Sequence, residues 1–138
     1  MRITKEDIKE RFKECNKLYF EGKLPIPKFG TYKGEQSVGL CYFDKQKKWI
    51  NRITLARNVD WTEETLRSVL VHEMIHYLLG LRDGSSDSGH GRRFKAEAKR
   101  INEQYGLDIT KRYPHIEFIN APKPPRTPWG KLRRWLGI

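Results

Sequence analysis

The chain has 138 residues, a length that suits one domain able to bury a core without disulfides. Its two cysteines lie far apart, so we expect reduced thiols rather than a disulfide framework or a cysteine-based zinc ribbon. The N-terminus is charged throughout and no stretch of about 20 apolar residues occurs. We therefore expect neither a signal peptide nor a membrane span, and a cytoplasmic protein.

The net charge of +11 is unevenly distributed along the chain. Residues 1–60 carry 14 Lys/Arg against 8 Asp/Glu, residues 61–120 carry 9 of each, and residues 121–138 carry 5 basic residues and no acidic ones. Such a basic balance favours polyanionic partners, nucleic acid first. A general contribution to solubility is the alternative.

The first half of the chain predicts a helix followed by a small sheet. Thr4 and Asp7 resemble a capping box, helical spacing of apolar residues continues to Tyr19, and Gly22 marks the end. Between residues 28 and 57 apolar residues alternate on either side of a polar turn at 44–47. This alternation predicts an antiparallel sheet.

The second half predicts two further helices. Thr62 is the expected N-cap of a helix that runs to about Leu79, where Gly80 is expected to end it. A loop rich in Gly and Ser follows, then an amphipathic helix that Gly106 ends. Residues 116–119 suggest an edge strand. We predict an α+β domain over residues 1–120, with the small antiparallel sheet packed on the second helix, and a Pro-rich basic tail over 121–138.

Residues 72–76 read HEMIH, the HExxH pattern. Histidines four residues apart on a helix share one face, about one turn apart, so both can bind one metal ion. Glu73 is offset from them and can activate an attacking water without binding the metal. Because the surrounding helix is apolar almost all round, these polar groups are expected to be buried, which is unfavourable without a metal. Hydrogen-bonded core histidines are the alternative.

A tetrahedral catalytic metal needs a third protein ligand beside the two helix histidines. His90 lies directly before the third helix, whose positive end favours a neutral imidazole that can bind metal. His115 is expected at the surface, and Asp83 and Asp87 are alternative ligands. Tyr113 and His115 are candidates for a second oxyanion donor. We predict one Zn²⁺ ion, with Glu73 as the catalytic residue and three metal ligands: His72, His76 and His90.

Three segments resemble the SprT-like family of zinc metallopeptidases, to which the DNA-dependent protease Spartan belongs. They are residues 16–25 (NKLYFEGKLP), 70–76 (LVHEMIH) and 90–94 (HGRRF), and the resemblance extends over about residues 10–105. It implies a zinc peptidase fold in which these three histidines bind zinc and Glu73 is the catalytic acid/base. It also implies action on proteins bound or crosslinked to DNA.

Many members of this family carry an additional zinc-binding segment that contacts DNA, and the chain lacks the cysteines for one. Two basic surfaces are candidates to replace it. The predicted hairpin combines positive charge with an aromatic ring, which suits single-stranded nucleic acid, at Lys45, Lys47, Lys48, Trp49 and Arg52. The alternative is a core tryptophan beside a solvated turn. The basic tail, which contains tryptophans, is a candidate to bind nucleic acid, an anionic membrane surface or a partner, and a merely disordered tail is the alternative.

Three functions remain open at this point. The first is an endopeptidase that acts on DNA-associated proteins, and the second is a cytoplasmic metallopeptidase with no dependence on DNA. The third is a nucleic-acid-binding module with a structural zinc. A base beside the ligands favours the first two, because a structural metal site does not need one.

Overall fold

A computed structural model describes residues 1–44, 46–85 and 89–119. It contains three helices and three strands, which confirms the α+β class. A 3₁₀ turn at Lys48–Ile50 separates the last two strands. Lys45, Asp87 and the predicted tail at 121–138 lie outside the described residues. The elements are α1 (Lys5–Tyr19), β1 (Lys28–Tyr32), β2 (Gly39–Tyr42), β3 (Arg52–Ala56), α2 (Glu63–Asp83) and α3 (Arg92–Tyr105).

The sheet has the order β1-β3-β2, with β3 in the centre. β3 pairs antiparallel with β2, as the hairpin pattern predicts, but parallel with β1. The prediction of a wholly antiparallel sheet is therefore wrong. Alternating apolar residues report which face of a strand is buried and carry no information about the direction of its neighbour. β3 is buried on both faces from Ile53 to Ala56, as expected for a central strand.

Local signals set most helix ends. Thr4 with Asp7 forms the expected capping box of α1, and Thr62 forms another at the start of α2. α3 ends at Gly106, which adopts the left-handed conformation. The predicted end of α2 at Gly80 is wrong, because the helix continues to Asp83 and the left-handed residue is Gly84.

Gly80 instead allows a close approach inside α2. A Cβ at this position would lie 2.7 to 2.9 Å from ring carbons of Phe43, far inside van der Waals contact. The glycine therefore makes room for the aromatic ring that follows β2. A glycine that makes room for a neighbour and a glycine that ends a helix look alike in the sequence. Here the neighbour, Phe43, is distant along the chain, so the sequence does not distinguish the two roles.

α2 is the central helix of the domain and packs against β2, β3, α1 and α3. It is buried almost continuously from Leu66 to Gly80. The edge strand predicted at 116–119 is reduced to one bridge between Val59 and Phe118. Cys15 is buried, Cys41 is half-buried, and both are free thiols. None of the helices in the described ranges has the length and apolar character that crossing a bilayer requires.

Candidate metal centre

The structure brings His72, His76 and His90 together. The first two lie one turn apart on α2, and His90 lies directly before α3. The three Nε2 atoms form a nearly equilateral triangle with sides of 3.2 Å for His72–His76 and 3.1 Å for each pair that includes His90. The two helix histidines are buried and His90 is half-buried. These three side chains can hold a metal ion.

The tautomer of His72 follows from its second nitrogen. Nδ1 lies 2.7 Å from the carbonyl oxygen of Thr110, and because a carbonyl only accepts, Nδ1 carries the proton. A neutral His72 therefore turns the lone pair of Nε2 toward the other two histidines. Burial, followed by the proximity of His76, lowers the pKa of His72 to about 3, so the imidazole is neutral near pH 7. A neutral imidazole is the form that binds metal.

The donor set fits zinc. Two ligands at roughly 2.0–2.1 Å from a tetrahedral zinc are about 3.3 Å apart, close to the sides of the observed triangle. Three imidazoles also accept other first-row metals, and zinc is a common choice for such a site. Asp83, an alternative ligand in the sequence analysis, is not part of the cluster. It pairs with Arg82 at 3.1 Å and Arg93 at 3.3 Å.

Phe94 supports all three imidazoles from one side. Its buried ring lies 4.8 Å from the rings of His72 and His90 and 4.7 Å from that of His76, on which it stacks. His90 has a φ of 56°, a left-handed conformation that is sparsely populated for residues with a side chain. This strained backbone brings the imidazole against α2, and the sequence analysis did not predict the strain.

A second layer of contacts holds the Thr110 carbonyl in place. The Asn102 side chain donates to the carbonyl of Ile109 at 3.0 Å and accepts from its N–H at 2.8 Å. Tyr113 donates its hydroxyl to the carbonyl of Ser68 at 3.0 Å, which ties the same segment to α2. Sequence reasoning missed both residues. Thr110 acts through its backbone carbonyl, which a residue with any side chain could supply, and Asn102 acts through the backbone of Ile109.

Glu73 lies beside the triangle, with Oε2 3.8 Å from Nε2 of His72. It is almost fully buried, and this burial raises its pKa to about 8. β2 can cross so close to it only at a glycine. A Cβ on Gly39 would lie 2.9 Å from Oε2 of Glu73 and 2.9 Å from Leu55.

A cleft of about 650 Å³ opens above these side chains. One wall is the segment 36–41, which includes part of β2, and the other is formed by residues of 111–118. Tyr113, a candidate oxyanion donor, lines the cleft, but its hydroxyl bonds to Ser68. The other candidate, His115, is exposed, with its ring 6.1 Å from that of Tyr113. The observed contacts of Tyr113 are structural.

A family comparison agrees with the geometry. The sequence model of the SprT-like family matches residues 8–115, which is most of the chain. The chain belongs to the SprT-like family. Zinc metallopeptidase is the general kind of that family, and the group of three histidines fits it. A comparison with curated proteins finds no match.

The nucleic-acid surface predicted for this SprT-like chain lies at the tip between β2 and β3. Trp49 is 66% exposed, so the alternative that it belongs to the core is wrong. Lys47, Lys48 and Arg52 are exposed as well. Tyr42, directly opposite Arg52 in the sheet, is a second exposed aromatic residue that sequence reasoning left out.

The four histidines of the chain allow a matched test of metal binding. We expect His90→Ala to lose the bound zinc, because two imidazoles on one helix leave the triangle incomplete. His115→Ala removes an exposed histidine outside the cluster and should keep one zinc per chain. Elemental analysis of the purified proteins measures the stoichiometry. If His90→Ala still binds one zinc ion per chain, His90 is not a metal ligand.

Asn102→Ala tests the second layer of contacts. Loss of its two bonds to Ile109 should loosen the Thr110 carbonyl and weaken zinc affinity about 10-fold, at the low end for such supporting residues. Asn16→Ala is the control, since Asn16 makes the same pair of bonds to the backbone of Leu24 in a region remote from the histidines. Competition with a chromogenic chelator measures affinity. Equal effects of the two variants would mean that Asn102 acts only through general stability.

Proposed function

We propose that this SprT-like chain is a zinc-dependent endopeptidase that acts on proteins associated with or crosslinked to DNA. His72, His76 and His90 would hold the metal, and Glu73 would be the catalytic acid/base. The observation that carries the proposal is a buried carboxylate directly beside three convergent imidazoles at the floor of an open cleft.

The chain's own residues have defined roles in this chemistry. A bound zinc ion would supply Lewis acidity, which polarises the peptide carbonyl and makes a water more acidic. Glu73 takes a proton from the attacking water and later gives it to the leaving amine. Glu73 is almost fully buried apart from its opening to the cleft, which limits exchange of this proton with bulk solvent.

Among the residues that the structure describes, no strand pairs with the outer edge of β2, and this free edge offers a place for an extended substrate. The N–H of Ala56 donates to the carbonyl of Val38, so in this antiparallel pair every second residue of β2 bonds to β3. Gly39 and Cys41 are the residues in between, and their N–H and C=O groups point to the outer edge. Both residues line the cleft. A peptide added there as a further strand would run past Glu73, which suits internal rather than terminal cleavage.

The geometry favours a catalytic over a structural zinc. Structural zinc sites are closed by four protein ligands, whereas the described residues supply three to this cluster, with a carboxylate and a cleft beside it. The exposed aromatic and basic side chains at the β2–β3 tip support a single-stranded DNA partner. A cytoplasmic peptidase indifferent to DNA is the second candidate, and the assay below separates the two.

Glu73→Gln is the decisive variant. It keeps the size and burial of the side chain but removes the base, so we expect at least about 10²-fold slower cleavage with zinc content unchanged. Glu64→Gln, an exposed position on the same helix, should retain activity. The assay follows cleavage of a DNA-binding protein with and without single-stranded DNA.

The possible results separate the three functions. Equal cleavage with and without DNA would favour the DNA-independent peptidase. If Glu73→Gln cleaves as fast as the unaltered chain, Glu73 is not the catalytic base. If the unaltered, zinc-loaded chain cleaves no protein under either condition, the structural-zinc alternative is favoured.

Gly39→Ala tests the fit of β2 over the catalytic carboxylate. The added methyl group would displace Glu73, and we expect kcat to fall by about 10²-fold with little change in KM or zinc content. Gly30→Ala on β1 is the matched control, because its Cβ would meet Thr54 at an ordinary distance of 3.4 Å. Steady-state kinetics on one peptide gives both constants. A Gly39→Ala variant with normal kcat would show that the close approach is irrelevant to catalysis.

A further inference from the structure

The segment after α3 carries positive charge into the wall of the catalytic cleft. Lys111 and Arg112 line this cleft on the side opposite β2. Lys111 also lines a second groove of about 400 Å³, between α3 and the segment 109–111, together with Lys95 and Lys99. Lys111 belongs to both linings, so the two depressions adjoin at this residue, and cations lie on either side of it.

Three of these four cations lack acidic partners among the residues that the structure describes. Lys99 pairs with Glu103 at 3.9 Å, but none of the ion pairs within the described ranges includes Lys95, Lys111 or Arg112. The proximity of Lys95, and to a smaller extent Arg112, lowers the pKa of Lys111. Like charges held this close are unfavourable unless an anion lies between them.

The segment that carries Lys111 and Arg112 is fixed by several contacts. The Asn102 and Tyr113 bonds anchor it on both sides, and the hydroxyl of Thr110 donates to the carbonyl of Arg112 at 2.6 Å. The backbone below the two cations is thereby held against α2 and α3. A ligand would therefore not have to order this backbone, and only the exposed side chains of the cations would lose freedom on binding.

The extent of the cluster favours a polyanion over a single acidic side chain. A single acidic side chain of a ligand would need only one or two cations within the cleft. The cluster instead extends from Lys111 and Arg112 in the cleft to Lys95 on α3. Successive phosphates of a nucleic acid strand present charge along such a path. The net charge of +11 attracts the same class of partner to the chain as a whole, although the excess lies outside residues 61–120.

We propose that Lys95, Lys111 and Arg112 form a phosphate track that holds a strand of single-stranded nucleic acid beside the catalytic cleft. The inference rests on the proposed function and deepens it, because it puts the DNA partner at the rim of the cleft. A protein attached to that strand would be brought to the free edge of β2. The track is distinct from the β2–β3 tip that the sequence analysis selected.

The test measures binding in a chain that carries Glu73→Gln, so that cleavage plays no part. Fluorescence anisotropy follows a labelled oligothymidylate over a range of salt concentrations. With Lys95→Gln and Lys111→Gln together, we expect about 5-fold weaker binding and a salt slope lower by about 1.4, the value for two lost phosphate contacts on a single strand. Lys95→Arg with Lys111→Arg keeps the charge and should keep both affinity and slope.

Two further pairs make the test specific. Lys9→Gln with Lys13→Gln removes the same charge from the exposed face of α1 and should leave the salt slope unchanged. Lys47→Gln with Lys48→Gln removes it from the β2–β3 tip. The track is rejected if the Lys95 and Lys111 pair behaves like the α1 pair, or if only the tip pair lowers the slope.

An acidic peptide is the remaining alternative ligand. If a polyglutamate peptide binds the chain more tightly than the oligothymidylate and loses affinity in the Lys95 and Lys111 pair, the surface selects acidic protein and the phosphate track is wrong. Failure of the proposed function would appear elsewhere, as an absence of cleavage by the unaltered chain. The binding measurements do not depend on that result.

Discussion

The hydrogen bond between Nδ1 of His72 and the carbonyl of Thr110 links the metal centre to the rest of the cleft. It fixes the tautomer that leaves Nε2 available, and it joins α2 to the segment that follows α3. That segment supplies one wall of the cleft and carries two of the three cations of the phosphate track. A shift of Thr110 would therefore disturb the metal ligand and the substrate wall together.

The burial of the site restricts its charge states. His72 and Glu73 are buried side chains near the middle of α2, and desolvation lowers the pKa of the histidine and raises that of the carboxyl group. Both groups are thereby pushed toward their neutral forms. For the histidine this is the state that binds metal. For Glu73 a nearby divalent cation would favour the carboxylate, so an empty and a loaded site differ in the state of the proposed base.

Much of the fold and of the site could be predicted, because its signals are local. The capping residues of α1 and α2, Gly106 after α3 and the spacing of His72 and His76 each act within a few residues. The features that escaped prediction depend on partners distant in sequence. The parallel pairing of β1 with β3, the contact of Gly80 with Phe43, and the support of His72 by Thr110 all arise only when separate segments meet.

The two cysteines of the sequence are too few for the additional zinc-binding segment that contacts DNA in many members of the family, so in the proposed function any DNA contact made by this sequence would use other surfaces. In the proposed function, the domain that the structure describes would therefore both bind DNA and cleave protein. A strand held at the rim of the cleft would raise the local concentration of an attached protein at the edge of β2, without a contact to that protein's own sequence. Selectivity would then come from attachment to DNA. A cleft that recognises its substrate mainly through backbone groups is suited to that task, because it accepts many different proteins.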